Sequence, residues 1–132
     1  AGSSVQRLFG ELGGKPTAPD PAAAKRSIDL ATQLAHRAAV LHDISDGGLA
    51  VALAEICIAS GVGATVHADH PFNEDPHRFL VVAGAGTLDL PEDLGRKIGS
   101  IGGDVITIGD SVVQLEPASD RWHNALPHAV AG

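Results

Sequence analysis

Apolar residues are spaced in two ways along this 132-residue chain, and the spacing predicts its helices and strands. From residue 22 to about residue 39, apolar positions recur every three or four residues opposite charged ones, which predicts a surface helix. From 49 to 59 they fall on every side of a helix, so that helix should be buried. Short apolar runs predict strands near 39–41, 64–67, 77–83, 104–108 and 112–115.

Local signals mark where these helices begin and end. Asp20 is a good N-cap, and Pro21 suits the first helical position. Asp46 precedes the buried helix, and its carboxylate is predicted to cap the first free N–H groups. Gly61 and Gly63 predict a helix stop followed by entry into a strand.

The C-terminal half is predicted to alternate short elements. A glycine-rich stretch at 84–86 turns the chain, and a capping box begun by Asp89 predicts a helix over 92–100. A tight turn at 109–111 joins the last two strands in a hairpin, and a helix at about 120–130 ends the chain. Helix crossovers mixed with hairpins predict an α/β fold with a mixed four- or five-stranded sheet and helices against it.

Composition narrows the class of protein. With 44% hydrophobic residues, the chain can form one core, and we expect an arm or linker over 1–20 and one domain over 21–132. The net charge of −7 argues against nucleic acid and anionic membranes as partners. Neither a membrane span nor a signal peptide is expected. The single cysteine, Cys57, falls in the buried helix, and the cytoplasm is the expected compartment.

Candidate chemistry lies just before the buried helix. Phosphate binds at helix N-termini, but beside the bare carboxylates of Asp43 and Asp46 it needs a cation. We therefore predict Mg²⁺, with Asp43 and Asp46 as oxygen ligands and Ser45 beside them. Gly47 and Gly48 allow a tight turn and the close approach of a ligand or another backbone. The residues leave a second interpretation open, in which Asp46 only caps the helix, Ser45 is a turn residue and Asp43 ends a strand.

A zinc site is a weaker hypothesis. His67, Asp69, His70 and His77 lie within one stretch of the chain. Their spacing matches no compact zinc motif and no cysteine accompanies them, so a solvated loop is favoured.

Three stretches resemble a known family. The sequence His-Asp-Ile-Ser-Asp-Gly-Gly-Leu at 42–49, followed by Ala54-Glu55 and Ser-Gly-Val-Gly-Ala at 60–64, resembles the C-terminal domain of phosphoribosylformylglycinamidine synthases, which belong to the aminoimidazole ribonucleotide synthetase superfamily. Ile44 replaces the usual Val. Thiamine-monophosphate kinases carry a similar run, but the acidic-Pro-Xaa-Arg-Phe character of 74–79 favours the purine enzymes.

The resemblance implies a layered α/β/α domain and a set of site residues. In the large form of the enzyme, the positions of Asp43 and Ser45 bind Mg²⁺ and nucleotide, respectively, at an auxiliary site. Asp46 matches a metal ligand only in thiamine-monophosphate kinase. Gly47 and Gly48 are the further expected nucleotide-binding residues, and the expected cofactors are Mg²⁺ and ATP or ADP.

The resemblance also implies an activity. The complete enzymes use ATP and ammonia to convert formylglycinamide ribonucleotide to its amidine in purine biosynthesis. The expected partners are N-terminal domains of the same synthetase, with a glutaminase subunit and a small bridging subunit in small-form enzymes. The isolated chain should be inactive and bind Mg-ADP weakly. The alternatives are part of a thiamine-monophosphate kinase or selenophosphate synthetase type phosphotransferase, or a non-catalytic interaction module.

Overall fold

The computed structural model describes residues 3–11, 13–84 and 88–131, with the side chains of 126–128, 130 and 131 excepted. It contains both helices and strands, which confirms the α/β class. The helices are α1 (Ser4–Leu8), α2 (Pro21–Leu34), α3 (Gly48–Ser60) and α4 (Leu115–Ala131). The strands are β1 (Ala38–Ile44), β2 (Ala64–Val66), β3 (Arg78–Ala83), β4 (Gly99–Ile101), β5 (Val105–Ile108) and β6 (Ser111–Gln114).

The chain divides into two compact units. The first contains Ala1–Leu53 and His70–Lys97, and the second contains Ala54–Asp69 and Ile98–Gly132. The described strands correspondingly form two sheets: β1 pairs with β3, and the other four strands form a mixed sheet in the order β4-β2-β5-β6. A mixed sheet was predicted and is present, but the prediction placed all the strands in one sheet and did not include β4.

In the first unit, α2 packs against the β1-β3 pair. Asp20 caps α2 as predicted, since its Oδ1 accepts hydrogen bonds from Ala22 N at 3.0 Å and Ala23 N at 2.9 Å. These bonds, that of Ala23 first, lower the pKa of Asp20. The buried apolar side chains in and around this packing include Ala31, Leu34, Ile44, Leu80 and Val82.

The predicted end of α2 near residue 39 is wrong. The helix ends at Leu34, and β1 begins at Ala38, which lies opposite Ala83 of β3. Helical spacing of alanines up to residue 38 suggested a longer helix, but pairing with β3 places Ala38 in the strand. Tertiary pairing therefore outweighs the local helix preference of alanine.

In the second unit, β2 lies parallel to β5 and antiparallel to β4, and β6 closes the predicted hairpin with β5. Ala64, Val66 and Ile106 are buried, whereas Thr65, which points to the opposite side of β2, is exposed. Gly63 lets the chain pass close to β5, because a Cβ there would lie 2.3 Å from the carbonyl oxygen of Val105.

The predicted helix over 92–100 is also wrong. Leu94 N and Gly95 N both donate to Pro91 O at 3.0 Å, which makes a single turn. Gly99 instead starts β4 opposite Val66, so close to β2 that an added Cβ would lie 2.0 Å from Thr65 O. Strand pairing thus replaces the second half of the predicted helix. The predicted turn at 84–86 lies partly outside the described residues.

The buried apolar helix and the C-terminal helix are both present, and the C-terminal helix begins earlier than predicted. Residues 48–58 of α3 are all buried or half-buried, and Gly61, with φ +68°, ends the helix. Burial raises the pKa of the Cys57 thiol in this helix, as expected of an unreactive cysteine. Helix α4 begins at Leu115 rather than near residue 120. Among the described residues, every helix is too short or too polar to span a membrane.

Candidate functional site

The predicted corner lines a groove in the first unit. The groove has a volume of about 430 Å³ and is lined by Ile28, residues 43–46 and residues 74–79. It therefore brings Asp43, Ser45 and Asp46 together, as the sequence predicted, and adds the polar loop that precedes β3.

Strand pairing places the first wall of the groove. Asp43 lies opposite Phe79 and Ile44 opposite Arg78, so the end of β1 meets the start of β3. Successive side chains of a strand point to opposite faces, and Ile44 is accordingly buried while Asp43 is exposed. The side chain of Asp43 is 68% exposed, and His42 Nδ1 lies 3.9 Å from its Oδ1.

The two glycines of the corner accommodate another segment of backbone. Gly47 and Gly48 have φ values of +81° and +68°, which favour glycine. A Cβ on Gly48 would lie 2.7 Å from the carbonyl carbon of Phe72 and from the oxygen of Pro71. The same oxygen accepts a hydrogen bond from Ala50 N at 2.9 Å. Of the two predicted uses, the structure shows close backbone approach, and ligand binding by Gly47 and Gly48 stays a prediction.

Glu74 is the residue that sequence reasoning missed. Its Oε1 accepts hydrogen bonds from Gly47 N at 2.7 Å and from Ser4 N at 2.8 Å. These backbone donors, Gly47 first, hold the pKa of Glu74 below its ordinary value. The only sequence signal was the acidic character of 74–79. It pointed to no role, because Gly47 and Ser4 lie 27 and 70 residues away in sequence.

The predicted cap at the start of α3 therefore needs correction. Asp46 lies two residues before the first residue of α3, and the carboxylate that accepts from Gly47 N belongs to Glu74. Gly48 N donates to Ser45 O at 3.0 Å and closes the turn. Asp46 is thereby free of the capping role that would have competed with a role in binding.

The loop opposite the corner is held by hydrogen bonds to Asp75, one from within the loop and one from Thr17. Asp75 Oδ1 accepts from Thr17 Oγ1 at 2.8 Å, and Asp75 Oδ2 accepts from Asn73 Nδ2 at 2.6 Å. His70 and His77, at either end of this loop, have φ values of +51° and +61°, an uncommon conformation for residues other than glycine. Glu74 and Asp75 are thus engaged within the protein.

Asp43, Ser45 and Asp46 remain available to a ligand. All three are exposed, and within the described part of the chain their side chains make no hydrogen bond. Among the side chains that the structure describes, no three His, Cys, Asp or Glu residues gather to hold a metal. A hard cation at Asp43 and Asp46 would therefore take its other ligands from water or phosphate oxygens, which is how Mg²⁺ usually binds.

The matched family model covers most of the chain. Residues 1–95 match the family described as "AIR synthase related protein, C-terminal domain". The chain belongs to this family. The match includes the whole groove and α3, which confirms the family expected from residues 42–49.

Curated relatives give the same assignment. The chain is 38% identical to the phosphoribosylformylglycinamidine synthase subunit PurL of Methylocella silvestris over 96% of its own length and 20% of the relative. The corresponding proteins of Bradyrhizobium diazoefficiens and Rhodospirillum rubrum are each 34% identical over 97% of this chain and 20% of their own length. The chain thus spans about a fifth of the length of these relatives.

Proposed function

We propose that this chain acts as the C-terminal domain of a phosphoribosylformylglycinamidine synthase. In that role it contributes to the ATP-dependent conversion of formylglycinamide ribonucleotide to its amidine in purine biosynthesis. The names of the relatives support the enzyme, and the common groove of Asp43, Ser45 and Asp46 supports a ligand role for this domain. The partners would be N-terminal domains of the same synthetase, a glutaminase subunit and a bridging subunit, all in the cytoplasm.

The ligand proposed for the groove is a magnesium nucleotide. Asp43, Asp46, Glu74 and Asp75 line the groove with a single arginine, Arg78, so the groove is strongly acidic. These carboxylates would repel a nucleotide that carries no cation. With a cation bound, they would hold the nucleotide through the metal. Asp43 and Asp46 would hold Mg²⁺, and the Ser45 hydroxyl would donate to a phosphate oxygen. The bound metal would supply positive charge to the phosphates.

The backbone of the corner limits how a phosphate could bind. Helix N-termini attract phosphate through free N–H groups, but Gly47 N, Gly48 N and Ala50 N already donate to acceptors within the protein. In the described conformation, binding through Asp43, Ser45 and Asp46 would not disturb these bonds. Use of Gly47 N–H by the nucleotide would require Glu74 to move away.

A second candidate function rests on Asp46. This position matches a metal ligand of thiamine-monophosphate kinases, and here Asp46 lines the same groove as Asp43. A phosphotransferase of that type would bind thiamine monophosphate as well as the magnesium nucleotide. If the chain binds Mg-ADP but not thiamine monophosphate, the purine enzyme is favoured.

The test is a calorimetric titration of the chain with ADP, with and without Mg²⁺. We expect weak binding that requires Mg²⁺ and that falls about tenfold or more in Asp43→Asn, because one charged ligand is lost. Asp120→Asn, an exposed carboxylate of α4 that does not line the groove, is the matched control. Binding that is independent of Mg²⁺, or no binding up to millimolar ADP, would refute a nucleotide site in this chain.

The catalytic role is tested separately. We expect the purified chain alone to form no amidine, because the proposed role depends on the other domains of the synthetase. The C-terminal domain of a close relative is deleted, and this chain is fused to the N-terminal domains that remain. The fusion should restore amidine formation. Failure of a folded fusion would contradict the proposed enzyme, and activity of the isolated chain would contradict the dependence on partners.

A further inference from the structure

The Glu74 carboxylate joins two segments that are distant in sequence. One oxygen, Oε1, accepts hydrogen bonds from Ser4 N in the first turn of α1 and from Gly47 N just before α3. We propose that Glu74 is a positioning residue, which couples the docking of α1 to the geometry of Ser45 and Asp46 in the groove. The coupling itself stands on these two bonds, and its consequence for a nucleotide rests on the function proposed above.

Helix α1 depends on this contact because it buries no residue. Leu8 and Phe9 at its end are 79% and 72% exposed, so apolar packing does little to hold it. The Ser3 side chain and the Gln6 side chain form a capping box within α1, but this box stabilises only the helix itself. The bond from Ser4 N to Glu74 connects α1 to the rest of the first unit.

At the other end, Glu74 fixes the peptide between Asp46 and Gly47. The N–H of that peptide donates to Oε1, and Gly48 N closes the turn on Ser45 O. Gly47, with no Cβ, has many other backbone conformations available once the bond is lost. Ser45 and Asp46 stand immediately before this peptide, so their position in the groove depends on it.

The charged side chains around Glu74 include both cations that attract its carboxylate and carboxylates that repel it. Arg7 of α1 attracts its carboxylate, and Arg78 and His77 line the same groove. Asp43, Asp46 and Asp75 are the like charges lining the groove. The backbone N–H of Gly47, followed by that of Ser4, the Ser4 hydroxyl and the charge of Arg7, holds the pKa of Glu74 below its ordinary value. Glu74 is therefore ionised at neutral pH and can accept from both backbone donors.

Ser4→Pro removes both Ser4 donors to Glu74, the backbone N–H and the side-chain hydroxyl, and leaves the start of the helix intact. Proline has no N–H and is favoured at the first helical position, which Ser4 occupies. The preceding residue, Ser3, has φ −64° and ψ 159°, the conformation that a residue before proline prefers. Ser4→Ala keeps the N–H and removes only the hydroxyl, which also donates to Glu74, so the comparison of the proline with the alanine variant isolates the backbone N–H.

The experiment compares backbone amide spectra of the full chain at neutral pH. In Ser4→Pro we expect the amide resonances of Asp46 and Gly47 to shift and the Gly47 N–H to exchange faster with solvent, whereas Ser4→Ala, which keeps the backbone donor, should shift less at both positions. Asp20→Asn perturbs the other capped helix, α2, and should leave both resonances unchanged. Identical Asp46 and Gly47 resonances in the proline and alanine variants would overturn the coupling.

A binding experiment tests its consequence. Mg-ADP affinity should fall roughly twofold to thirtyfold in Ser4→Pro relative to Ser4→Ala, the range expected for a change that acts through another residue. Glu74→Ala should lose at least as much, and Glu74→Gln should regain part of it because its amide oxygen still accepts. Equal affinities in all four variants would overturn the positioning role. If wild type binds no Mg-ADP, the proposed nucleotide site fails, and the amide spectra still decide the coupling.

Discussion

Two pairs of carboxylates line the same groove and differ in what they do. Glu74 and Asp75 accept four hydrogen bonds from backbone and side-chain donors, and both are partly buried. Asp43 and Asp46 are exposed and accept none from the described residues. Residue type and location in a groove therefore do not define a ligand; the hydrogen bonds already made decide which carboxylates remain for one.

The largest expected effect on stability concerns Gly48, whose close contact with the backbone of Pro71 and Phe72 brings the two pairs of carboxylates together. Gly48→Val should lower the free energy of unfolding by about 2 to 5 kcal/mol, because it combines a left-handed backbone with a clash against the backbone of Pro71 and Phe72. Gly61 has the same φ of +68° in open space. Gly61→Val should therefore cost only about 1 to 2 kcal/mol. Equal losses in denaturant titrations would remove steric approach as the reason for Gly48.

The next effect concerns Glu74 and depends on pH. At neutral pH, Glu74→Ala should lower the free energy of unfolding by roughly 1 to 3 kcal/mol, with solvent screening favouring the lower end. Since the folded state lowers the pKa of Glu74, its ionised form stabilises the fold above the ordinary pKa. That stabilisation is lost as the pH falls through the folded-state pKa. Denaturant titrations of wild type and Glu74→Gln should therefore converge in acid, and a constant difference between them would contradict this linkage.

A smaller loss is expected for the second carboxylate of the loop. Asp75→Asn leaves one oxygen acceptor where two donors, Thr17 and Asn73, now bind. The expected loss is about 0.5 to 1.5 kcal/mol, since one exposed hydrogen bond is broken. Thr17→Val removes the donor instead, and the double variant should lose no more than the larger single loss. Strictly additive losses would show that the two side chains act independently.

The smallest effect on stability should come from the exposed pair. Asp43→Asn should change the free energy of unfolding by less than about 0.5 kcal/mol, because its side chain is exposed and its one described contact is the 3.9 Å approach of His42 Nδ1. The same variant should weaken Mg-ADP binding, which makes it the converse of Asp75→Asn. A stability loss comparable with that of Glu74→Ala would make Asp43 a structural residue and remove the contrast between the two pairs.

Much of the fold follows from signals confined to a few residues. Asp20 and Pro21 start α2 because the cap and the first turn are adjacent in sequence. The all-round apolar pattern of α3, the glycine at 61 and the tight turn between β5 and β6 are likewise local, and the structure has each of them. The same local reasoning gathered Asp43, Ser45 and Asp46 at one corner, and these residues line one groove.

Tertiary structure decided what depends on partners far along the chain. The local preferences of alanine and glycine disfavour a strand, but pairing with Ala83 places Ala38 in β1 and pairing with Val66 places Gly99 in β4. Gly48 requires the backbone of residues 71–73, and Glu74 requires donors 27 and 70 residues away. The sequence by itself determined the candidate ligands. Only the folded chain determined which carboxylates stabilise the groove, because a hydrogen bond needs both partners in place.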